Sequence, residues 1–148
     1  MAYNPNYFGA TASAAEKTTS GYQNGTLSTI TKATPVATNG SGQAILLDVT
    51  DETNVFRWIG LYAQDTVSGA TGQVIDNGRL ENITTGFSVG DFIYAGSTPG
   101  TLINVKPDIG VSGFASGDFV IFIGVLVKNQ FNPSQIDLKL VMLNIGQL

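Results

Sequence analysis

Short runs of apolar and β-branched residues, separated by turn residues, make up the chain from Thr26 onward. The segments TLSTITKATPVAT and QAILLDVT flank the turn NGSG, and VFRWIGLYAQD and QVIDNGRLENI follow on either side of VSGATG. Runs of this composition and length predict strands. Asn77-Gly78 in the last segment predicts a two-residue hairpin, because Asn and Gly tolerate the positive φ angles of such turns.

The second half of the chain continues the same pattern. FIYAG and TLINVKP are followed by two longer apolar segments, FVIFIGVLVK and SQIDLKLVMLNI, which are joined by NQFNP. DVTDETNVF, between two of the earlier strands, predicts a short helical turn. The pattern therefore predicts an all-β domain over residues 26–148, a single barrel or sandwich of short antiparallel strands.

The first 25 residues differ from the rest of the chain in composition and periodicity. They mix small and polar residues with Tyr3, Tyr7, Phe8 and Tyr22, and show neither strand nor helix periodicity. Segments too polar to build a core are often ordered only by a partner. We expect residues 1–25 to be an extended N-terminal arm whose four aromatic residues contact a partner; a mobile terminus is the alternative.

One short phrase occurs twice, as GFSVGDFIYAG from Gly86 and as GFASGDFVIFIG from Gly113. Glycine allows the chain to turn, and an aspartate in a turn accepts hydrogen bonds from nearby backbone amides. We therefore expect Asp91 and Asp118 to stabilise a bend that begins a strand.

A weaker repeat relates FRWIGLYAQ to VIFIGVLVK, each of which is followed by a polar turn and another strand. Gly60 and Gly124, inside these strands, predict β-bulges or a close approach of neighbouring backbone. The repeat has two interpretations, a duplicated hairpin or two independent solutions to one packing problem.

The composition narrows the function. At 148 residues the chain has the size of one domain, and only 12% of it is charged, about half the usual share. A charge-poor surface is typical of proteins that contact other proteins. The net charge of −4 and the scattered basic residues argue against nucleic acid as a partner. No apolar run approaches the roughly 18 residues of a membrane helix, so no membrane partner is expected.

Candidate catalytic chemistry is sparse. The chain has no histidine and no cysteine, which removes Ser-His-Asp and Cys-His nucleophile systems as well as histidine and thiolate metal ligands. Asp48, Asp51 and Glu52 could hold a hard cation, but a helix cap explains them better. Trp58 fits a core or interface position better than a carbohydrate platform. We expect no enzymatic activity and no cofactor.

The order of features resembles a known family. The run GATGQVIDNGRLENITTGFSVGDFIYAGSTPGTLINVKP, from Gly69 to Pro107, resembles a pattern in structural proteins of tailed bacteriophages. Its elements are a Thr-Gly-x-Val strand, the phrase Gly-Phe-x-x-Gly-Asp-x-x-Tyr, a small-residue turn, a Thr-Leu strand and a proline. The opening TITKATPVATNGSGQAILLDVT and the later strands around 123–127 and 136–143 extend the resemblance over most of the chain.

The resemblance implies a non-enzymatic virion protein. Such β-domains occur in capsid decoration (cement) proteins and in head or tail fibres, and are typically trimeric. A fibre usually adds a long repetitive shaft, which is missing from this sequence. We therefore expect a decoration protein that is made in the host cytoplasm, forms a homotrimer and binds the major capsid protein on the outer surface of the capsid. The alternative is a head- or tail-fibre knob that binds a host receptor or glycan.

Overall fold

The computed structural model describes residues 18–148, which form two five-stranded antiparallel sheets and a short helix. The elements in chain order are β1 (Thr18–Gln23), β2 (Pro35–Thr38), β3 (Ala44–Leu46), α1 (Glu52–Val55), β4 (Trp58–Tyr62), β5 (Thr71–Asn77), β6 (Arg79–Leu80), β7 (Phe92–Ala95), β8 (Leu102–Ile103), β9 (Phe119–Lys128) and β10 (Ile136–Gln147). The first sheet has the order β1-β5-β4-β2-β3, and the second has the order β6-β10-β9-β7-β8. No helix in this part of the chain has the length and apolarity that a membrane crossing needs.

The main hydrophobic core lies between the two sheets. Leu61 and Ile75 of the first sheet are buried in one cluster with Ile93, Leu126 and Leu138 of the second. Burial of apolar side chains from both inner faces is the stabilising arrangement of a β-sandwich. The all-β prediction is confirmed, and the packing of the sheets is that of a sandwich.

A smaller apolar cluster covers the outer side of the first sheet. Val36, Tyr62 and Val74 are buried there under Ile30, which lies in the connection between β1 and β2. The backbone of Ile30 is fixed by reciprocal hydrogen bonds with Thr66, at 3.0 and 2.9 Å. The chain thus covers much of this outer face itself.

The last part of the predicted arm is a strand of the β-domain. β1 pairs antiparallel with β5 over its whole length, with Tyr22 opposite Gly72. Residues 18–23 therefore form an edge strand of the first sheet, and the β-domain begins before residue 26. Their composition, TTSGYQ, gives little strand signal, and β5 supplies the hydrogen-bonding partner that makes them a strand. The rest of the predicted arm lies outside the described residues.

The hairpin predicted at Asn77-Gly78 is wrong. β5 belongs to the first sheet, whereas β6 pairs with β10 in the second. Gly78 has a φ of 87°, its N–H is bonded to the Asn77 side chain at 2.8 Å, and its carbonyl accepts a bond from Leu140 N at 2.9 Å. The positive φ thus bends the chain from one sheet into the other instead of reversing it.

The repeated phrase forms the same turn twice. Asp91 accepts a hydrogen bond from the backbone N–H of Ser88 at 3.0 Å, and Asp118 accepts one from Ala115 at 2.8 Å. The glycine before each aspartate has a φ of 95° or 96°, as the third position of a type II turn requires. β7 begins at Phe92 and β9 begins at Phe119, in each case the residue that follows the aspartate. The prediction of a strand-entry turn is confirmed.

The two sheets repeat one topology. Adding five to each strand number in the first sheet gives the order of the second, and every pairing is antiparallel in both. Gly60 lies opposite Val36, Gly124 lies opposite Ile93, and an irregularity follows immediately in each pair of strands. The repeat that the sequence suggested for one hairpin therefore extends to a unit of five strands.

Gly60 and Gly124 allow the same close approach of a neighbouring strand in their two sheets. A Cβ atom on Gly60 would collide with the carbonyl oxygen of Ile75, and one on Gly124 would collide with that of Lys139. These carbonyls are equivalent, because Ile75 pairs with Leu61 and Lys139 pairs with Val125. The predicted close approach of the backbone is confirmed at both positions.

The two repeated units are stacked front to back. We call the front of a sheet the side that carries Leu61 in the first sheet and its register equivalent Val125 in the second. Leu61 and Ala37 are buried in the core, whereas their equivalents Val125 and Tyr94 are half-buried on the outside of the second sheet. The front of the first sheet therefore packs on the back of the second, and the front of the second sheet faces outward.

Candidate interaction surfaces

The structure describes one of the four aromatic residues predicted to contact a partner. Tyr22 is half-buried in β1 and packs against the cluster on the back of the first sheet. Its carbonyl accepts a hydrogen bond from the Tyr62 hydroxyl at 2.9 Å, and burial raises the pKa of Tyr62, which keeps this donor protonated. Tyr3, Tyr7 and Phe8 lie outside the described residues.

Beside Tyr22, an open groove of about 330 Å³ lies at the margin of the first sheet, where residues of its back meet Trp58 and Met142 at the edge of the main core. It is lined chiefly by Tyr22, Trp58, Ile59, Val74, Asp76 and Met142. Two aromatic rings border the groove, and Asp76 is an exposed carboxylate with no hydrogen bond or ion pair to a described residue. The structure thus brings together Tyr22 and Trp58, which the sequence analysis had considered for different roles.

Two lining residues connect the groove to the rest of the molecule. Trp58 packs against the main core, as predicted, and its buried indole Nε1 has no hydrogen-bond partner among the described residues. Met142 has a φ of 58° and lies at an irregularity of β10 between Leu140 and Leu143. Bulges of this kind redirect a side chain out of the strand alternation, and here the redirected side chain reaches the first sheet.

The acidic cluster has a structural role. Asp51 is the N-cap of α1, and its Oδ1 accepts bonds from the backbone N–H groups two and three residues further on, at 2.9 and 3.3 Å. Asp48 accepts bonds from the backbone and the hydroxyl of Thr50, at 3.0 and 2.7 Å, and Glu52 is exposed. The capping prediction is confirmed, and residues 18–148 contain no group of acidic side chains placed to hold a metal.

Arg79 is committed to an ion pair. Its guanidinium lies 3.5 Å from Asp137, which is fully buried and also accepts bonds from Asn82 N at 2.9 Å and from the Asn129 amide at 3.0 Å. These contacts hold β6 and the end of β9 against β10. Asp137 therefore serves the fold of the second sheet.

The front of the second sheet carries an apolar row across four strands. Ile103, Tyr94, Phe122 and Leu143 lie opposite one another in β8, β7, β9 and β10. Paired residues of neighbouring strands point to the same face, so these four side chains form one continuous surface. Phe122 and Tyr94 are in contact, with ring centroids 5.3 Å apart.

A second row lies beside the first. Phe92 in β7 is opposite Val125 in β9, which is opposite Lys139 in β10, and Lys139 is opposite Arg79 in β6. Phe92 packs edge-on against Phe122, with centroids 6.0 Å apart, and is 58% exposed. This front surface is therefore apolar in its middle, with the exposed Lys139 towards the β6 edge.

The sequence did not identify the front surface. In FIYA and VIFIGVLV the residues on both sides of the strand are apolar, so no alternation distinguishes the core side from the outer side. The available signal was the repeat itself, because it relates Trp58 to Phe122 and Leu61 to Val125.

A comparison of the chain with protein-family models, with curated proteins and with solved structures finds no match.

Proposed function

We propose that this chain is a structural protein of a bacteriophage virion, a decoration protein that binds the major capsid protein and stabilises the head. The observation that carries the proposal is the apolar front surface of the second sheet, which is typical of a protein that works within a larger assembly. An apolar surface patch of a few hundred Å² is often functional, and contact with protein is its usual role. The charge-poor composition and the resemblance to phage structural proteins support the same assignment.

The mechanism is stabilisation by mass action. A protein that binds the assembled shell and not its separated subunits favours the shell by RT ln(1 + [L]/Kd). Binding needs no catalytic group and no cofactor. The protein acts as a homo-oligomer on the outer surface of the capsid.

Sedimentation with undecorated capsids of the virus tests this function. Full-length protein is expected to sediment with the capsids at a saturating stoichiometry set by capsid symmetry. Failure to bind at protein concentrations of about 50 µM, well above a micromolar Kd, would contradict the proposal.

The arm is tested in the same assay. Deletion of residues 1–17 leaves β1 and its pairing with β5 in place, so the variant should keep the far-ultraviolet circular dichroism and the Tm of the full chain. We expect it to lose capsid binding, since the proposed tether carries Tyr3, Tyr7 and Phe8. Undiminished binding by the truncated chain would show that the arm is not the tether.

The groove favours a second candidate, a fibre or knob domain that binds a host glycan. Sugar rings stack on aromatic side chains, and Asp76 could accept hydrogen bonds from their hydroxyls. Trp58 is the single tryptophan of the chain, so its fluorescence reports directly on this groove. In titrations with methyl glycosides of glucose, galactose, mannose and N-acetylglucosamine, a glycan site predicts a saturable change.

The glycan candidate has matched controls. Binding should be lost in Asp76→Asn and Tyr22→Ala, and kept in Phe131→Ala, whose ring is 91% exposed on the β9–β10 turn. No response to any of the four glycosides, or equal responses in all variants, would eliminate the glycan function at this groove.

A further inference from the structure

We propose that the front surface of the second sheet is the contact between copies of this chain, and that a second copy is its occupant. The inference rests on the proposed function, which includes a homo-oligomer, and it identifies the surface through which the copies associate. The observations that lead to it are the internal repeat, the size of the surface and the covering of the opposite face.

The internal repeat shows what a surface of this kind packs against. Leu61 and Ile75, at the front of the first sheet, are 0% and 1% exposed because the second sheet lies on them. Their register equivalents in the second sheet, Val125 and Lys139, lie on the surface. Phe92 is the equivalent of the buried Pro35, yet it is 58% exposed. One unit thus buries its front on a five-stranded sheet of the same fold, and within residues 18–148 no strand or helix packs over the front of the other.

The size of the surface fits a subunit contact. Phe92 and Leu143 are largely exposed, and Ile103, Tyr94, Phe122 and Val125 are partly exposed. Six side chains of this size present roughly 400 Å² of apolar surface, in the range where a patch is often functional. A standard interface covers about 800 Å² per partner, so this patch could form the apolar middle of one.

The distribution of charge fits a second copy. The row from Ile103 to Leu143 has no charged residue, and an apolar surface is matched best by another apolar surface. Lys139 lies at one edge, where its charge stays in water when the middle is covered, and the neighbouring Arg79 is paired with Asp137. In a second copy that presents the same rows, aromatic side chains would lie against the aromatic side chains of the first, which adds favourable ring contacts.

The opposite face of the molecule limits the assembly. Within the molecule, the front of one sheet packs on the back of the other. The same packing could continue between molecules only if the back of the first sheet were open to the front of a second copy. That face is covered by the β1–β2 connection, with Ile30 2% exposed over Val36 and Tyr62. Contacts that do not repeat head to tail close on themselves. A small closed oligomer is therefore expected, and an open filament is not.

Sedimentation velocity of the full-length chain without capsids, at about 50 µM, tests the inference. Phe92→Lys and Leu143→Lys each place a charge in the middle of the surface, at side chains that are 58% and 53% exposed in the free protein. The matched controls are Phe131→Lys and Leu27→Lys, at 91% and 100% exposure outside the surface. Each lysine substitution adds one positive charge to a net charge of −4 and so reduces the overall repulsion between copies. A loss of association therefore cannot come from greater overall repulsion.

We expect the wild-type protein and both controls to sediment as a dimer, because a surface that pairs with its own copy closes at two subunits. Phe92→Lys and Leu143→Lys should each weaken association by roughly a hundredfold, because an unpaired charge is buried in the contact. Thermal melts of all four variants distinguish dissociation from unfolding. A monomeric wild type, or two folded surface variants that associate like the wild type, would overturn the inference. Because capsids are omitted, these results are independent of whether the protein binds the head.

Discussion

The substitution Gly124→Ala tests the packing of the two central strands of the second sheet. Gly124 lies in the middle of β9, between β10 and β7, and its φ is outside the left-handed region. Alanine can adopt this backbone conformation, so the effect comes from the added Cβ atom alone. That atom would collide with the carbonyl oxygen of Lys139 and lie 3.0 Å from its carbonyl carbon and 3.2 Å from Leu140 Cα.

The expected loss of stability follows from the type of atoms that the added Cβ atom would contact. All three belong to the backbone of β10, and no side chain can rotate away to make room. Overpacking of this kind costs about 1–3 kcal/mol. Separating β9 from β10 weakens neighbouring ladder hydrogen bonds, at roughly 1 kcal/mol for each bond lost. We expect Gly124→Ala to lower the free energy of unfolding by roughly 3 kcal/mol or more, which corresponds to about 10 °C in Tm.

Urea denaturation followed by Trp58 fluorescence and by circular dichroism measures this loss. Gly86→Ala is the matched control, because a Cβ atom there meets no other atom within 4 Å and the φ of Gly86 is not positive. The control should remain within about 1 kcal/mol of the wild type. If Gly124→Ala melted within about 2 °C of the wild type, a shift of less than roughly 1 kcal/mol, the argument from backbone contact would fail.

Three further substitutions test the turns and the cap. Asp51→Ala should lower the free energy of unfolding by about 1 kcal/mol through loss of the α1 cap; a rise in the wild-type Tm on adding calcium would instead restore the metal hypothesis. Asp118→Ala removes a carboxylate that is 8% exposed and accepts a charge-assisted hydrogen bond from the Ala115 N–H, and the loss should be roughly 2 kcal/mol. The same change at Asp91, which is half-buried, should cost less, and equal losses in the two melts would contradict the burial argument. The Asn104 amide, followed by a backbone N–H, lowers the pKa of Asp91. Its contribution is therefore present above the unfolded-state pKa and lost as pH falls through the lower folded-state pKa. Asp91→Asn should lose less stability than the wild type on acidification below about pH 4, and parallel pH profiles would refute this.

Features that depend on neighbouring residues in the chain were predictable from the sequence. The turns at Asp91 and Asp118 need only a glycine and an amide within three residues, and the cap at Asp51 needs only the first turn of α1. The strands followed from runs of β-branched and aromatic residues. Gly60 and Gly124 were recognised as close approaches because glycine inside an apolar strand has few other uses.

Features that depend on distant residues were decided by the tertiary structure. Thr18–Gln23 is a strand because β5 offers it an edge, and Asn77-Gly78 connects two sheets because β10 pairs with the residues that follow it. Tyr22 and Trp58 line one groove because β1 and β4 flank β5. Which side of an apolar strand is buried depends on what packs there. Phe122 and Ile123 are equally apolar in sequence, yet Ile123 is in the core and Phe122 lies on the front surface.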